Sequence, residues 1–189
     1  MKKCELIICE DKPSLGVYSI TVFNARYQAG FAKFIKKIVN RFLRKELFFS
    51  FYRVDCIHLS LKQQKKLETE IPLFFYKNGM LQEINGYLSI AKAELNDELC
   101  DLLPFILDYY SEISLFNPKV DWDKLKNYHL DYLNHRVADI ISNHFTDIVF
   151  DYFDSGDISL YFNSQIFDSE EVKKIVVEAF DEMNRGDCS

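Results

Sequence analysis

Residues 146–163, TDIVFDYFDSGDISLYFN, predict a β-hairpin with one apolar face near the end of the chain. Side chains alternate between two faces along a strand. One face of both strands carries large apolar side chains, namely Ile148, Phe150, Tyr152, Ile158, Leu160 and Phe162. The DSGD at 154–157 suits a turn, because Gly tolerates positive φ and Asp bonds its own backbone. We expect this apolar face to pack against the core.

The opposite face of the hairpin is rich in carboxylates and carries Asp147, Asp151 and Asp157. One interpretation is a solvated face whose acids keep the sheet from pairing with other chains. The other is a docking surface for a basic partner. The candidate partner-binding residues are Asp147, Asp151, Asp154, Asp157, Tyr161 and Asp168.

Charge is distributed unevenly along the 189 residues, although the net charge is only −6. Residues 1–80 hold 15 Lys and Arg against 7 Asp and Glu, and residues 81–189 hold 8 against 22. The two halves either neutralise each other in the fold, or one of them meets a partner. Length and a 48% hydrophobic content predict a single domain over 1–189, with a sub-boundary near residue 80 as the alternative.

The chain contains no apolar stretch near the roughly 20 residues that a membrane span requires. The apolar run at its start is too short for a signal-peptide core. Five cysteines form an odd set without a C-x-x-C pair, which indicates reduced thiols. Together these features predict a cytoplasmic protein.

The first half of the chain predicts strands at 4–9, 17–23 and 47–59 and a helix at 25–45. The apolar stripe of this helix comprises Phe31, Phe34, Ile35, Ile38, Val39 and Phe42, and its other face carries Lys33, Lys36, Lys37, Arg41 and Arg44. A short helix at 61–70 should end at Pro72. The Asn78-Gly79 pair then predicts a hairpin between strands at 73–76 and 80–84, and Asn85-Gly86 predicts a further turn into 87–90.

In the second half, Asn96 resembles the N-cap of a helix, which Pro104 either kinks or divides. Residues 105–116 fit either a helix or a strand. Asp121 resembles the cap of a helix that extends to about residue 144, and Asp168 precedes an amphipathic last helix. Because strands and helices mix without βαβ alternation, we predict an α+β fold with a mostly antiparallel sheet and several amphipathic helices.

No catalytic, cofactor or metal motif stands out in the sequence. The six glycines form no phosphate-binding loop, and the histidines at 58, 129, 135 and 144 lack the spacing of metal ligands. Asp151, Asp154 and Asp157 recur every three residues, which does not match an EF-hand loop. We therefore expect no cofactor, no metal and no enzymatic activity, while a catalytic site assembled only in the fold remains an alternative.

The leading hypothesis is an acidic protein that binds and inhibits a basic partner. Nucleases present positive clefts to phosphate backbones, and carboxylates could occupy those positions. Immunity proteins of bacterial toxin systems have this size and charge, so a nuclease-like toxin domain is the expected partner. The alternative is a nucleic-acid or membrane-surface adaptor that uses the basic helix at 31–45. Nucleic-acid binding is disfavoured because the acidic half would repel the polymer.

Overall fold

An antiparallel sheet is the centre of the fold in the computed structural model, which describes residues 5–12, 16–44, 46–53, 60–61, 65, 69–83, 88–124, 137–153 and 156–185. Within these residues, eight strands form one sheet: β1 (Glu5–Lys12), β2 (Val17–Phe23), β3 (Glu46–Arg53), β4 (Gly79–Glu83), β5 (Leu88–Glu94), β6 (Tyr110–Phe116), β7 (Ile148–Phe153) and β8 (Ile158–Asn163). Their order is β1-β2-β8-β7-β6-β3-β5-β4, and all neighbouring pairs are antiparallel. The predicted α+β fold is confirmed, and the sheet joins strands from both sides of residue 80.

Five helices longer than one turn are present in the described part of the chain: α1 (Phe31–Phe42), α2 (Ile71–Asn78), α3 (Asp97–Tyr109), α4 (Val137–Ser142) and α5 (Ser169–Arg185). Residues of α1, α2, α3 and α5 share one large core with one face of the sheet. We call this side of the sheet the helix face. The short helix α4 contacts β2, β7 and β8 and belongs to a second apolar cluster. The side on which it packs is called the α4 face.

The β7–β8 hairpin forms as predicted. Ile148 pairs with Phe162, Phe150 with Leu160, and Tyr152 with Ile158. All six predicted apolar residues are buried in the core of the helix face. Gly156 adopts a φ of +86°, as the turn interpretation requires, because this conformation is costly for residues with a Cβ.

The amphipathic stripes of the first and last long helices are confirmed. The six predicted apolar residues of α1 are all buried. On α5 the buried residues are Val172, Val176, Ala179 and Met183. The two helices meet closely at Gly30, where a Cβ atom would lie 2.7 Å from the Cα of Met183. A glycine at this position therefore allows the backbones of α1 and α5 to approach each other.

The bounds of the predicted helix at 25–45 were too wide at both ends. Ala25–Tyr27 form a single 3₁₀ turn after Asn24, which has a left-handed φ of 57°. The α-helix starts only at Phe31 and ends at Phe42, and Leu43 is already extended. The apolar periodicity identified the buried face correctly but could not locate Gln28, whose extended backbone separates the 3₁₀ turn from α1.

The predicted hairpin around Asn78-Gly79 is wrong. Residues 73–76 belong to α2, which passes through Pro72 and ends at Asn78, and β4 begins at Gly79. Pro72 lies in the first turn of α2, where its missing N–H costs little. Phe74 and Phe75 of α2 are buried in the core of the helix face, so tertiary packing decides for a helix. The pair β4–β5 is antiparallel, and the predicted turn at 85–86 lies outside the described residues, as does most of the helix predicted at 61–70.

The ambiguous segment 105–116 divides into the end of α3 and the whole of β6. Helix α3 continues through Pro104 to Tyr109, and β6 starts at the next residue. Asn96 caps this helix as predicted, because its Oδ1 accepts a hydrogen bond from the Leu99 amide at 2.9 Å. Asp121 likewise accepts from the Lys124 amide at 2.8 Å, while the centre of the helix predicted to follow it lies outside the described residues.

Candidate functional site

The acidic face of the hairpin is the first candidate site, and its central carboxylate is not on the surface. Asp151 is only 3% exposed, and its Oδ1 accepts a hydrogen bond of 2.6 Å from the Ser114 hydroxyl. The expectation of a solvated acidic face is therefore wrong at this position. The physical reason is that the α4 face is covered as well: Val149 and Phe116, on the same side as Asp151, pack with Ile140 and Ile141 of α4.

The other candidate partner-binding residues hold local contacts. Asp147 forms an ion pair with Lys119, and Asp157 accepts a hydrogen bond of 2.8 Å from the Asn24 amide. Asp168 caps α5 by accepting from the Glu171 amide at 2.8 Å. Tyr161 is partly buried beside the second cluster, and Asp154 lies outside the described residues. The structure thus does not bring the five described candidates together as one open surface, and whether any of the six binds a partner stays a prediction.

A mostly buried row of polar side chains crosses the α4 face and was missed by the sequence interpretation. Thr21, Ser159, Asp151 and Ser114 are neighbours on β2, β8, β7 and β6. The hydroxyls of Thr21 and Ser159 are 2.7 Å apart, so that one donates to the other. Buried polar groups are costly unless they are hydrogen-bonded, and these partners lie on adjacent strands. These two hydrogen bonds link β2 to β8 and β6 to β7. The row becomes visible only once the pairing of the four strands is known, and the sequence alone does not give that pairing.

The basic face of α1 is largely neutralised by acids of neighbouring helices. Lys36 pairs with Asp101 of α3, and Lys37 and Arg41 pair with acids of α5. The Nζ–Oε1 distance from Lys37 to Glu182 is 2.7 Å, and Arg41 lies 2.6 Å from Glu171. The hydrogen bond to Asp101 raises the pKa of Lys36 above its ordinary value. The two halves of the chain therefore meet in the fold, which was one of the two expectations from the charge pattern.

Exposed acids remain on the outer surfaces of α3 and α5. They are Asp97 and Glu98 in the first turn of α3, and Glu178 and Asp181 on α5. Within the described residues, none of these four side chains forms a hydrogen bond or a close ion pair, although the charge of Asp97 acts on nearby Lys36. We call these four residues the helical acids. Helix α1 contacts both α3 and α5, so acids flank its neutralised basic face on both sides.

A cavity of about 500 Å³ opens beside the carboxyl end of α1. Its polar lining includes Arg41, Arg44 and Lys119, together with Asp147. Its apolar lining includes Phe42, Ile148 and Phe167. We call this space the α1-end cavity. Its volume lies within the range of sites that bind small molecules.

Two further kinds of site would be a metal-ligand cluster and a reactive thiol in the described part of the chain. No group of three or more His, Cys, Asp or Glu side chains there is arranged to hold a metal ion. Cys100 is buried, and this burial raises the pKa of its thiol. A thiol with a raised pKa is a poor nucleophile because the reactive thiolate is scarce.

The chain has no significant match to a protein family, a curated protein or a solved structure. A fold by itself does not define an activity, so the sites of the chain carry the information on its function. Among the described residues, no helix combines the length and apolar character needed to cross a bilayer.

Proposed function

We propose that this protein binds a basic protein partner and inhibits it, as an immunity-type protein does when it neutralises a nuclease-like toxin in the cytoplasm. The observation that carries the proposal is the set of helical acids, which are exposed beside the neutralised face of α1 and form no close ion pair with any residue that the structure describes. Carboxylates presented in this way could occupy the phosphate positions of a positive cleft. They would also accelerate encounter with a positively charged partner.

The arrangement on α1 disfavours the alternative of a nucleic-acid or membrane-surface adaptor. A phosphate backbone that approaches Lys36, Lys37 or Arg41 would compete with Asp101, Glu182 and Glu171. It would also meet the helical acids on both sides of α1. Like-charge repulsion of this kind weakens binding to a polyanion, and it favours a polycation as the partner.

The test is a capture experiment with the full chain and two variants of equal charge. In the first variant, Glu178→Lys and Asp181→Lys reverse the two helical acids of α5. In the matched control, Glu94→Lys and Asp123→Lys make the same change in net charge at exposed acids outside α3 and α5. Host lysate is passed over each protein at low and at high salt, and retained proteins are identified by mass. Nuclease assays then measure whether the wild-type chain inhibits the retained protein.

We expect the wild-type chain and the control variant to retain one basic protein at low salt and to inhibit it. The variant of the helical acids should lose at least about tenfold in affinity, because each close charge pair at an interface contributes on the order of 1 kcal/mol or more. Equal binding by both variants would overturn the assignment to the helical acids. Failure of the wild-type chain to retain any basic protein at low salt would overturn the proposed function.

A further inference from the structure

We infer that the α1-end cavity is a binding site for a small organic carboxylate with an apolar body. Three cationic side chains, Arg41, Arg44 and Lys119, line this space of about 500 Å³. They come from the last turn of α1, the residue shortly after it and the loop after β6. The site is separate from the helical acids and goes beyond the proposed function.

The three cations differ in whether a carboxylate of the protein already pairs with them. Arg41 is paired with Glu171, and Lys119 is paired with Asp147. The guanidinium group of Arg44 has no ion pair or hydrogen bond with any residue that the structure describes. Arg44 is therefore the cation that a ligand can use without displacing a resident carboxylate.

The backbone beneath Arg44 is fixed before any ligand arrives. The Arg44 amide donates to Asn117 Oδ1 at 2.8 Å, and the Asn117 amide group donates in return to the Arg44 carbonyl. The backbone amide of Lys119, which also lines the cavity, donates to the Phe145 carbonyl at 2.8 Å. These bonds hold the rim of the cavity, so less conformational entropy is lost when a ligand binds.

The charge and lining of the cavity select the class of ligand. A guanidinium group offers paired N–H donors that match the two oxygens of a carboxylate. The carboxylate of Asp147 and the negative end of the α1 dipole repel a ligand with several negative charges more strongly than one with a single charge. Phe42, Ile148 and Phe167 provide an apolar wall for a hydrocarbon or aromatic body. A single carboxylate attached to an apolar group satisfies all three conditions, whereas a polyphosphate or a nucleic acid does not.

The test is calorimetric titration of the full chain with 3-phenylpropionate. Acetate supplies the head group without the apolar body, and 3-phenylpropanol supplies the body without the charge. Arg44→Gln removes the unpaired guanidinium, and Arg44→Lys keeps the charge but loses the paired donors. Lys33→Gln removes one positive charge from an exposed position at the other end of α1 and serves as the matched control.

We expect saturable binding of 3-phenylpropionate by the wild-type chain and by Lys33→Gln. Arg44→Gln should weaken it roughly tenfold or more, because a hydrogen bond to a charged group is lost, and Arg44→Lys should fall between the two. Acetate and 3-phenylpropanol should each bind at least about tenfold more weakly than the probe that combines them. The inference is overturned if 3-phenylpropionate does not bind saturably, if Arg44→Gln binds it as the wild type does, or if the neutral alcohol binds equally well.

Discussion

On the helix face of the sheet, Ile113, Tyr152 and Ile158 stand side by side across β6, β7 and β8. On the α4 face, the next positions of the same strands hold Ser114, Asp151 and Ser159. None of these six residues is more than 5% exposed. The two sets of residues are therefore equally buried, but the set on the helix face is mainly apolar and the set on the α4 face is polar.

The difference shows that a polar residue at alternate positions of a strand does not by itself indicate a solvent-exposed face. Antiparallel sheets often have one wet face, and the sequence of β7 fits that pattern. Here the polar residues instead form hydrogen bonds with the neighbouring strands, as in the pair of Ser114 and Asp151. The helix face should then gain its stability from packing, and the α4 face partly from directed hydrogen bonds.

The largest effect is expected on the helix face, from Phe150→Ala. Phe150 is fully buried in the main core, so its truncation removes apolar contacts and leaves a cavity. We expect the free energy of unfolding to fall by about 3–5 kcal/mol in urea denaturation. Ile166→Ala, at a residue 59% exposed, is the control and should change this free energy by no more than about 0.5 kcal/mol. A loss below about 1 kcal/mol for Phe150→Ala would contradict the described packing.

An intermediate effect is expected on the α4 face, from Asp151→Ala. The change removes the acceptor of the 2.6 Å hydrogen bond from Ser114 in a buried setting, and should cost about 1–3 kcal/mol of unfolding free energy. Asp151→Asn keeps an acceptor oxygen of similar shape and should cost less. A double-mutant cycle with Ser114→Ala isolates the pair, for which we expect a coupling above about 0.5 kcal/mol. If Asp151→Ala is neutral, the buried polar row does not stabilise this face.

Local patterns in the sequence correctly predicted the elements whose buried face or first residue is indicated by nearby residues. The β7–β8 hairpin, the buried stripe of α1, the cap at Asn96 and the start of α5 at Asp168 all follow from spacing and side-chain chemistry within about 20 residues. In each of them, the buried face and the local hydrogen bonds indicate the same structure.

Features set by long-range contacts could not be predicted in this way. The burial of Asp151 depends on β6 and on α4, and the placement of β8 between β2 and β7 depends on the whole sheet. The segment around Asn78-Gly79 has a strong turn signal, but burial of Phe74 and Phe75 makes the preceding residues helical. The same limit applies to the candidate sites, because the helical acids and the α1-end cavity exist only after three helices and several strands have met.

The smallest effect is expected for an exposed ion pair between two helices. Comparing it with the buried pair of Ser114 and Asp151 shows how much burial strengthens a polar interaction in this protein. Lys37 and Glu182 lie 2.7 Å apart with side chains 35% and 61% exposed, so solvent screens their attraction. A double-mutant cycle of Lys37→Ala and Glu182→Ala should give a coupling of about 0.2–1 kcal/mol at low salt, decreasing as salt is added. The coupling between Ser114 and Asp151 should not change with salt, because neither side chain faces solvent. If the two couplings respond equally to salt, ions reach the polar row, and Ser114 and Asp151 are not buried from solvent as the structure describes.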